Sequence, residues 1–226
     1  MLPVLAVTGL SKEARLAAGP GVEAVGAGGS PQRLRALLDL RREGGCRAVI
    51  SFGIAGGLDP LRVAGDVVIA TAIVTEAGRR ETDAALRDAL HSALSRTDLT
   101  TLSADLAGVD AAVLSVAAKT DLHARTGAAA VDMESHVAAE FAARHGLPFA
   151  AIRVVCDPAD RALPAFVATA LKPSGDPDIL AVLTALARRP AHLPALIRLA
   201  RDSGRAFAAL SQCRVILGPG LGLPDA

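Results

Sequence analysis

The sequence predicts an α/β fold in which helices pack on a central sheet. Apolar runs of strand length alternate with amphipathic helical segments along the chain. The stretch 129–157 shows the pattern best, as strand, acidic turn, helix, tight loop, strand and acidic turn. Its apolar runs are continuous, which is typical of strands buried on both faces. A chain of 226 residues is long enough for one such domain and short for two.

The first third of the chain begins with a strand. Residues 2–8 form a continuous apolar run, and Ser11 can cap the short helix that follows. A weak strand and a Gly-rich turn occupy 21–29, and the pair Ser30-Pro31 then begins a helix. Further strands are predicted at 47–54, 66–75, 111–116 and 150–156. Further helices are predicted at 81–96, 117–127, 133–145, 162–171, 178–189 and 192–212, before a loose tail at 218–224.

Composition excludes several classes of protein. The formal charge of +1 lacks the basic surplus of a nucleic-acid-binding protein. The three cysteines have neither an even count nor metal-ligand spacing, which indicates buried, reduced thiols in a cytosolic protein. No apolar run approaches the roughly 20 residues of a membrane span, and the N-terminus has no basic leader. No HExxH, CxxC, GxSxG or P-loop pattern occurs, so we expect no metal and no bound cofactor.

Acidic residues stand where two of the predicted strands end. Asp132 and Glu134 flank Met133 at the start of a helix, and Asp157 follows the run 150–156. Ligands of open α/β sheets bind at the carboxyl ends of strands, so these carboxylates are candidate site residues. Each also has a structural interpretation. Asp132 can cap the helix, Glu134 can favour its N-terminus, Met133 can belong to the core, and Asp157 can form an Asx turn.

Two blocks of the sequence resemble the purine nucleoside phosphorylase and nucleosidase superfamily. They are VDMES with GLPFAAIRVVCDPAD, and ISFGIAGGLDPLRVAGDVVIA. The stretches VLAVTGLSKEARLA, KTDLHARTGAAAVDMES, CDPADRALP and RRPAHLPALIRLARD are similar to the hopanoid-associated phosphorylase subfamily, and this resemblance covers nearly the whole chain. It implies a single three-layer domain over 1–226, with a mixed central sheet, helices on both faces, and 162–215 as a helical extension packed on it.

The resemblance also implies roles for residues. Asp157 would act as general acid at purine N7, and its carboxyl favours a 6-amino over a 6-oxo purine. Glu134 would bind the ribose hydroxyls and Met133 would pack on the ribose. Further substrate contacts are implied at Asp132, Gly53, Ile54 and Cys156, and contacts with phosphate or water at Gly9, Gly53 and Ala55.

The nucleophile is the open point of this interpretation. Nucleosidases of the superfamily carry a glutamate after the first strand that polarises water, and Glu13 lies one residue short of that position. Glu13 can instead simply favour the N-terminus of its helix. Phosphorylases commonly have an arginine and a serine where this chain has Ser51 and Ile54. Phosphate remains possible as co-substrate, with charge supplied from elsewhere, for example by Arg62, Arg79 or Arg80.

We therefore expect cleavage of an N-glycosidic bond with release of adenine, and the subfamily resemblance favours adenosylhopane, giving ribosyl- or phosphoribosylhopane. The alternatives are hydrolysis of methylthioadenosine or S-adenosylhomocysteine, and a non-catalytic nucleoside- or lipid-binding protein. Lys119 and His123 can hold an anion, although a solvated helix face explains them as well. We expect a homo-oligomer, because sites of this superfamily often borrow residues from a neighbouring subunit.

The C-terminal part of the chain is basic. Residues 161–214 contain eight Lys or Arg against three Asp. A basic amphipathic helix can lie on an acidic membrane surface, or it can pack on the sheet and expose its basic face to water. We expect a cytoplasmic protein that packs this helix on its sheet, with peripheral contact at the inner membrane face as the alternative.

Overall fold

A mixed sheet of eight strands forms the centre of the computed structural model, which describes residues 2–41, 45–164, 184 and 193–223. The strands are β1 (Val4–Thr8), β2 (Val22–Gly26), β3 (Ala48–Gly57), β4 (Val67–Thr75), β5 (Gly78–Glu81), β6 (Thr101–Gly108), β7 (Ala130–Asp132) and β8 (Phe149–Asp157). The helices are α1 (Ser11–Ala17), α2 (Pro31–Asp39), α3 (Ala84–Leu94), α4 (Val116–Thr126), α5 (Ser135–Arg144) and α6 (Leu193–Leu217), followed by a 3₁₀ turn at Pro219–Gly222.

The sheet curls until part of it closes on itself. Its strand order is β2-β1-β3-β7-β6-β4-β5, and β8 pairs with both β3 and β4. The five strands β3, β8, β4, β6 and β7 therefore form a ring. The pairs β3–β7, β4–β8 and β4–β5 are antiparallel and the others are parallel. The ring brings the ends of β6 and β7 next to the ends of β3 and β8.

Helices cover both faces of the sheet. On one face α2 and α5 pack through Leu34, Leu38, Val137 and Phe141. On the other face α1, α3 and α6 pack through residues that include Leu90, Leu210 and Cys213. Two apolar layers thus enclose the sheet, which confirms the predicted mixed three-layer α/β domain. Burial of these aliphatic side chains supplies the main stabilising term.

Strand β8 carries charge within an otherwise apolar sequence. Ile152, Val154 and Cys156 face the layer under α6, because successive side chains of a strand alternate between faces. Arg153 lies on the opposite face, where its Nε donates to Ser135 Oγ of α5 at 3.3 Å. The register of β8 against β3 shifts before Asp157, and Asp157 lines a cavity together with Asp202 of α6.

Between residues 78 and 116 one predicted strand is wrong and two strands were not predicted. Residues 111–115 form a loop, and Val116 begins α4, so the predicted strand at 111–116 does not exist. The strands of this region are β5 and β6. Strand β5 is exposed along its length and β6 is buried only at its end, so neither shows a continuous apolar run. The apolar run 111–116 instead belongs to a loop, two of whose residues line a cleft.

The end of the described chain is packed rather than loose. Helix α6 contacts β8 and α3, and Leu221 of the 3₁₀ turn is fully buried. The expected loose tail at 218–224 is therefore wrong for the described residues. Residues 162–164 are irregular, and the rest of the helices predicted at 162–171 and 178–189 lies outside the described residues, apart from residue 184. The boundary of a helical extension at 162–215 stays a prediction. None of the described helices is both long and apolar enough to cross a membrane.

Candidate active site

A cleft of about 210 Å³ opens where β1, β3, β6, β7 and β8 end. Four carboxylate side chains line it, from Glu13, Asp132, Glu134 and Asp157. Apolar side chains form its walls: Leu10, Ile54, Ala55, Val109, Ala112, Val113, Val131, Met133 and Leu163. The cleft therefore combines an acidic floor with a mouth suited to apolar groups.

Glu13 lies in a nest of backbone N–H groups. Its Oε2 accepts hydrogen bonds from the N–H of Gly9 (2.8 Å) and of Leu10 (2.7 Å). Its Oε1 accepts one from the N–H of Ile54 (2.8 Å). Burial raises the pKa of this carboxyl, while the positive charge of Arg153 and the three N–H donors lower it. The carboxyl is held in place by the start of α1 and the end of β3.

Arg153 lies beneath the cleft and pairs with two of its acidic residues. Its guanidinium is fully buried, with Nε 2.7 Å from Asp132 Oδ2 and Nη2 3.4 Å from Glu134 Oε2. Nη2 also donates to Ser51 Oγ at 2.6 Å, and Nη1 donates to the Ile54 carbonyl at 3.2 Å. A buried ion of this kind persists only with partners on every side, and Arg153 has them.

Gly53 makes room for the side chains of Glu13 and Arg153, which both approach its Cα. A Cβ at this position would lie 2.6 Å from Arg153 Nη1 and 2.6 Å from Glu13 Oε1. Gly53 was predicted to contact substrate and phosphate or water, but it is not among the residues that line the cleft. Its contact with substrate, phosphate or water stays a prediction.

Glu134 is a buried acid of the floor with a raised pKa. Burial, with the charges of Asp132 and Glu13, raises its pKa to about 8, although Arg153 lowers it. Asp132 Oδ1 accepts from the N–H groups of Glu134 (3.0 Å) and Ser135 (2.8 Å). Asp132 therefore caps the start of α5, as its structural interpretation expected, and also pairs with Arg153.

Asp157 lies on another side of the cleft and is paired with a buried lysine. Lys119 Nζ, from α4, lies 2.6 Å from Asp157 Oδ2. Burial raises the pKa of Asp157, and the Lys119 ammonium lowers it. Lys119 is fully buried, so the interpretation of Lys119 as a residue of a solvated helix face is wrong. His123 contacts the Ala128 carbonyl through Nδ1 at 2.9 Å.

Most of the predicted site residues line one cleft: Gly9, Glu13, Ile54, Ala55, Asp132, Met133, Glu134, Cys156 and Asp157. The arginines proposed as sources of charge lie elsewhere. Arg62 pairs with Asp59, and Arg79 pairs with Asp105 and Glu81. Cys156 is buried beside Ser203, and burial raises the pKa of its thiol to about 12. That thiol is therefore protonated at neutral pH.

Sequence reasoning missed Arg153 and assigned Lys119 to solvent. A signal existed for Arg153, because a charged residue inside the apolar run AAIRVVC must be buried with partners once the run forms a central strand. No comparable signal marked Lys119, since a lysine on a helix of low amphipathicity is compatible with solvent.

The arrangement has the groups that cleavage of an N-glycosidic bond needs. Glu13 can accept a proton from a nucleophile, since its carboxyl lies in the cleft and is fixed by three donors. Glu134 can accept hydrogen bonds from vicinal hydroxyls. Asp157, if protonated in its buried setting, can donate to a leaving group at the other side of the cleft.

Known proteins resemble this chain in sequence pattern and in fold. The model of the Phosphorylase superfamily matches residues 4–193. No curated protein sequence matches the chain significantly. Among solved structures, a putative 5′-methylthioadenosine/S-adenosylhomocysteine nucleosidase from Francisella philomiragia has a TM-score of 0.63 at 16% identity, covering 94% of this chain and 100% of that one.

Two further structures agree in fold. Native futalosine hydrolase of Helicobacter pylori has a TM-score of 0.63 at 15% identity, covering 93% of this chain and 97% of its own. The Neisseria meningitidis 5′-methylthioadenosine/S-adenosylhomocysteine nucleosidase, in complex with methylthio-immucillin-A, has a TM-score of 0.61 at 20% identity, with 93% and 98% covered. At these identities the likeness establishes the fold alone.

Proposed function

Because the chain belongs to the Phosphorylase superfamily, we propose that it cleaves the N-glycosidic bond of an adenosyl nucleoside and releases adenine. The observation that carries this proposal is the convergence of Glu13, Glu134 and Asp157 on one cleft. In the proposed complex the purine lies beside Asp157, the ribose lies over Met133 and Glu134, and the nucleophile lies beside Glu13. The reaction needs no bound cofactor, since these side chains supply the acid, the base and the ribose contacts.

We propose water as the nucleophile. Among the described residues, none of those that line the cleft is an arginine or a lysine. The one arginine beneath it, Arg153, already contacts Asp132, Glu134, Ser51 and the Ile54 carbonyl. A phosphate dianion would meet several carboxylates without a free cation, whereas a water can donate to Glu13. The geometry therefore favours hydrolysis over phosphorolysis.

The 5′ substituent is proposed to be apolar. The walls near the acidic floor are aliphatic, with Leu10, Val109, Val113 and Leu163 among them. This suits a hopane chain as in adenosylhopane, which the sequence resemblance favours, and it also suits the methylthio group of methylthioadenosine. Apolar walls favour both substrates over a charged 5′ group such as that of S-adenosylhomocysteine, because burying an unpaired charge is costly.

The test measures adenine release by chromatography from methylthioadenosine and from detergent-solubilised adenosylhopane, each with and without phosphate. We expect release that does not depend on phosphate and yields free ribosyl product. A rate that requires phosphate would overturn the proposal of water. Binding of adenine without turnover of either nucleoside would replace the enzyme by the non-catalytic binding protein.

A peripheral membrane contact is proposed for the start of α6. Leu193 and Ile197 are exposed there, next to the exposed Arg198 and Arg201. Apolar side chains flanked by arginines suit an anionic lipid surface. Such a contact would keep a cytoplasmic enzyme at the inner face of the membrane, where a hopane-bearing substrate resides.

The membrane contact predicts a difference between two ends of one helix. The double variant Leu193→Ser/Ile197→Ser should lose binding to vesicles with anionic lipid, measured by sedimentation. Val215→Ser, which changes an exposed apolar residue at the far end of α6, should bind as wild type does. Equal binding of all three proteins would contradict the proposed contact.

A homo-oligomer is also proposed, because the resemblance implies sites that borrow residues from a neighbouring subunit. The exposed Leu61 and Val63, in the loop between β3 and β4, are candidates for such a contact. Light scattering of the purified protein measures the mass directly. A mass of about 23 kDa, that of one chain, would contradict an oligomer.

A further inference from the structure

Lys119 occupies a cage of four oxygen atoms beside the cleft. Its Nζ donates to Asp157 Oδ2 (2.6 Å) and to the carbonyl oxygens of Asp157 (2.9 Å), Pro158 (3.0 Å) and Arg161 (3.1 Å). The side chain is fully buried. An ammonium group removed from water in this way is costly, and among these four acceptors only the Asp157 carboxylate can neutralise it. Holding the turn 158–161 would need only neutral donors.

We propose that Lys119 is a positioning residue that holds the Asp157 carboxyl toward the purine and stabilises the carboxylate formed when Asp157 gives up its proton. This inference rests on the proposed release of adenine. In that step the C1′–N9 bond breaks, its electron pair passes to the purine, and the Asp157 proton passes to N7. Water then forms the new bond to C1′ and gives its proton to Glu13. The negative charge that stays on Asp157 then faces an ammonium already in place, so no group has to reorient.

The other charged groups around Asp157 do not replace Lys119. From α6, Asp202 adds a negative charge and Arg198 borders the neighbouring cavity. From the loop after β8, Arg161 pairs with Asp160 and Asp202. Glu13 and Glu134 lie across the cleft and are acidic. Lys119 is therefore the cation in direct contact with the Asp157 carboxyl among the described residues.

A buried acid without a cation is a weak acid. Burial raises the pKa of Asp157 and Lys119 opposes that effect, so loss of the ammonium should raise the pKa further. Asp157 must be protonated to act, and activity is lost as the pH rises through its pKa. Removing the positive charge should therefore move the alkaline limb of the pH profile to higher pH.

The experiment compares pH profiles of kcat/KM for methylthioadenosine in wild type, Lys119→Gln and Lys119→Arg. Glutamine keeps N–H donors for the carbonyl groups and removes the charge, whereas arginine keeps the charge. We expect the alkaline limb to move up by about one unit or more in Lys119→Gln and to stay in place in Lys119→Arg. Should Lys119→Gln not fold, Lys119→Met takes its place.

If kcat falls in Lys119→Gln while the alkaline limb of its pH profile stays in place, the proposal is overturned, because Lys119 would then only hold the turn. A titration of the Asp157 carboxyl by ¹³C NMR in the free enzyme separates this outcome from failure of the proposed function. If wild type releases no adenine, an Asp157 titration that shifts upward in Lys119→Gln still supports the coupling. An unchanged titration overturns it.

Discussion

At the scale of single residues, the placement of Glu13 governs the chemistry proposed for the cleft. Three backbone N–H groups fix its carboxyl, and the positive charge of Arg153 acts on it. The carboxyl is thus anchored before any ligand binds. A fixed base avoids the cost of reorganisation during the reaction.

Replacing Glu13 by glutamine should remove the proton acceptor at nearly constant side-chain volume, and the amide NH₂ group then faces a backbone N–H donor. We expect kcat for adenine release to fall by about 10²- to 10⁴-fold, the usual contribution of a general base. The dissociation constant for adenine should stay near that of wild type, measured by calorimetry. Glu140→Gln, an exposed position on α5, serves as control, and equal rates in both variants would exclude Glu13 as the base.

Replacing Arg153 by methionine should leave the buried Asp132 and Glu134 without their cation. Breaking a buried ion pair on one side typically costs about 3–5 kcal/mol of unfolding free energy, which urea denaturation measures. Arg144→Met removes an exposed arginine paired with Asp39 and should cost about 0–1 kcal/mol. Similar urea midpoints for the two variants would show that the ion pairs of Arg153 with Asp132 and Glu134 contribute little to stability.

The acidic residues of the cleft could be predicted because they follow strands, where carboxylates have few structural reasons to occur. Arg153 could have been found from its position inside an apolar run. The pairing of Lys119 with Asp157 could not, since it depends on how α4 packs against the end of β8. Contacts of that kind follow from tertiary packing and leave no local pattern.

At the scale of elements, the turn from β1 into α1 is shaped by a close approach. A Cβ on Gly9 would lie 2.7 Å from Glu134 Oε1. The backbone of this turn therefore supports the Glu134 carboxyl directly. From the sequence we predicted Gly9 as a contact with phosphate or water. The close approach to Glu134 could not be predicted, because that neighbour comes from a distant part of the chain.

Gly9→Ala should push the Glu134 carboxyl out of position. A displacement of about 1 Å at a reacting group can reduce the rate on the order of 10²-fold, so adenine release should fall to that extent. Gly204→Ala, in α6 with open space around its Cα, should keep wild-type activity and gain up to about 1 kcal/mol of stability. Normal activity in Gly9→Ala would show that Glu134 tolerates the move.

Strands β5 and β6 could not be predicted from their local sequence pattern. Strand β6 is half exposed and β5 is exposed and basic, so both looked like surface segments. The loop at 111–115 is apolar because Ala112 and Val113 line the cleft. An apolar run shows that residues are buried or line a binding surface, and this alone does not distinguish a short strand from a loop.

At the scale of the whole molecule, the acidic floor should make stability depend on pH. Folding raises the pKa of Glu134 from 4.5 to about 8, so the folded protein binds a proton that the unfolded chain releases. That contribution is complete below pH 4.5 and is lost as the pH rises through the folded pKa. Glu13, whose pKa is also raised, acts in the same direction.

The unfolding free energy should therefore decline between about pH 5 and pH 8, by at most about 1.4 kcal/mol per unit for each group. In Glu134→Gln the unfolding free energy should decline less over this pH range. The variant should therefore gain stability relative to wild type as the pH rises to 8. Urea denaturation at several pH values measures both. Parallel curves for the two proteins would mean that Glu134 is ionised in the folded state.

The three-layer architecture was predictable from the alternation of apolar runs and helices, whereas the closure of five strands into a ring was not. Closure depends on pairings such as β3–β7 that involve only a few residues. It also depends on β8 pairing with β3 and β4, both of which lie far from β8 in sequence. Neither feature changes the local sequence pattern of the strands concerned.

The packing of α6 and Leu221 has a consequence for biosynthesis. The layer that holds Ala206, Leu210 and Cys213 also holds residues of β1, so the first strand and the last described elements share one apolar core. A chain emerging from the ribosome cannot cover that face of the sheet until α6 has been made. Until then the nascent protein exposes apolar surface, so it should depend on chaperones more before α6 emerges than afterwards.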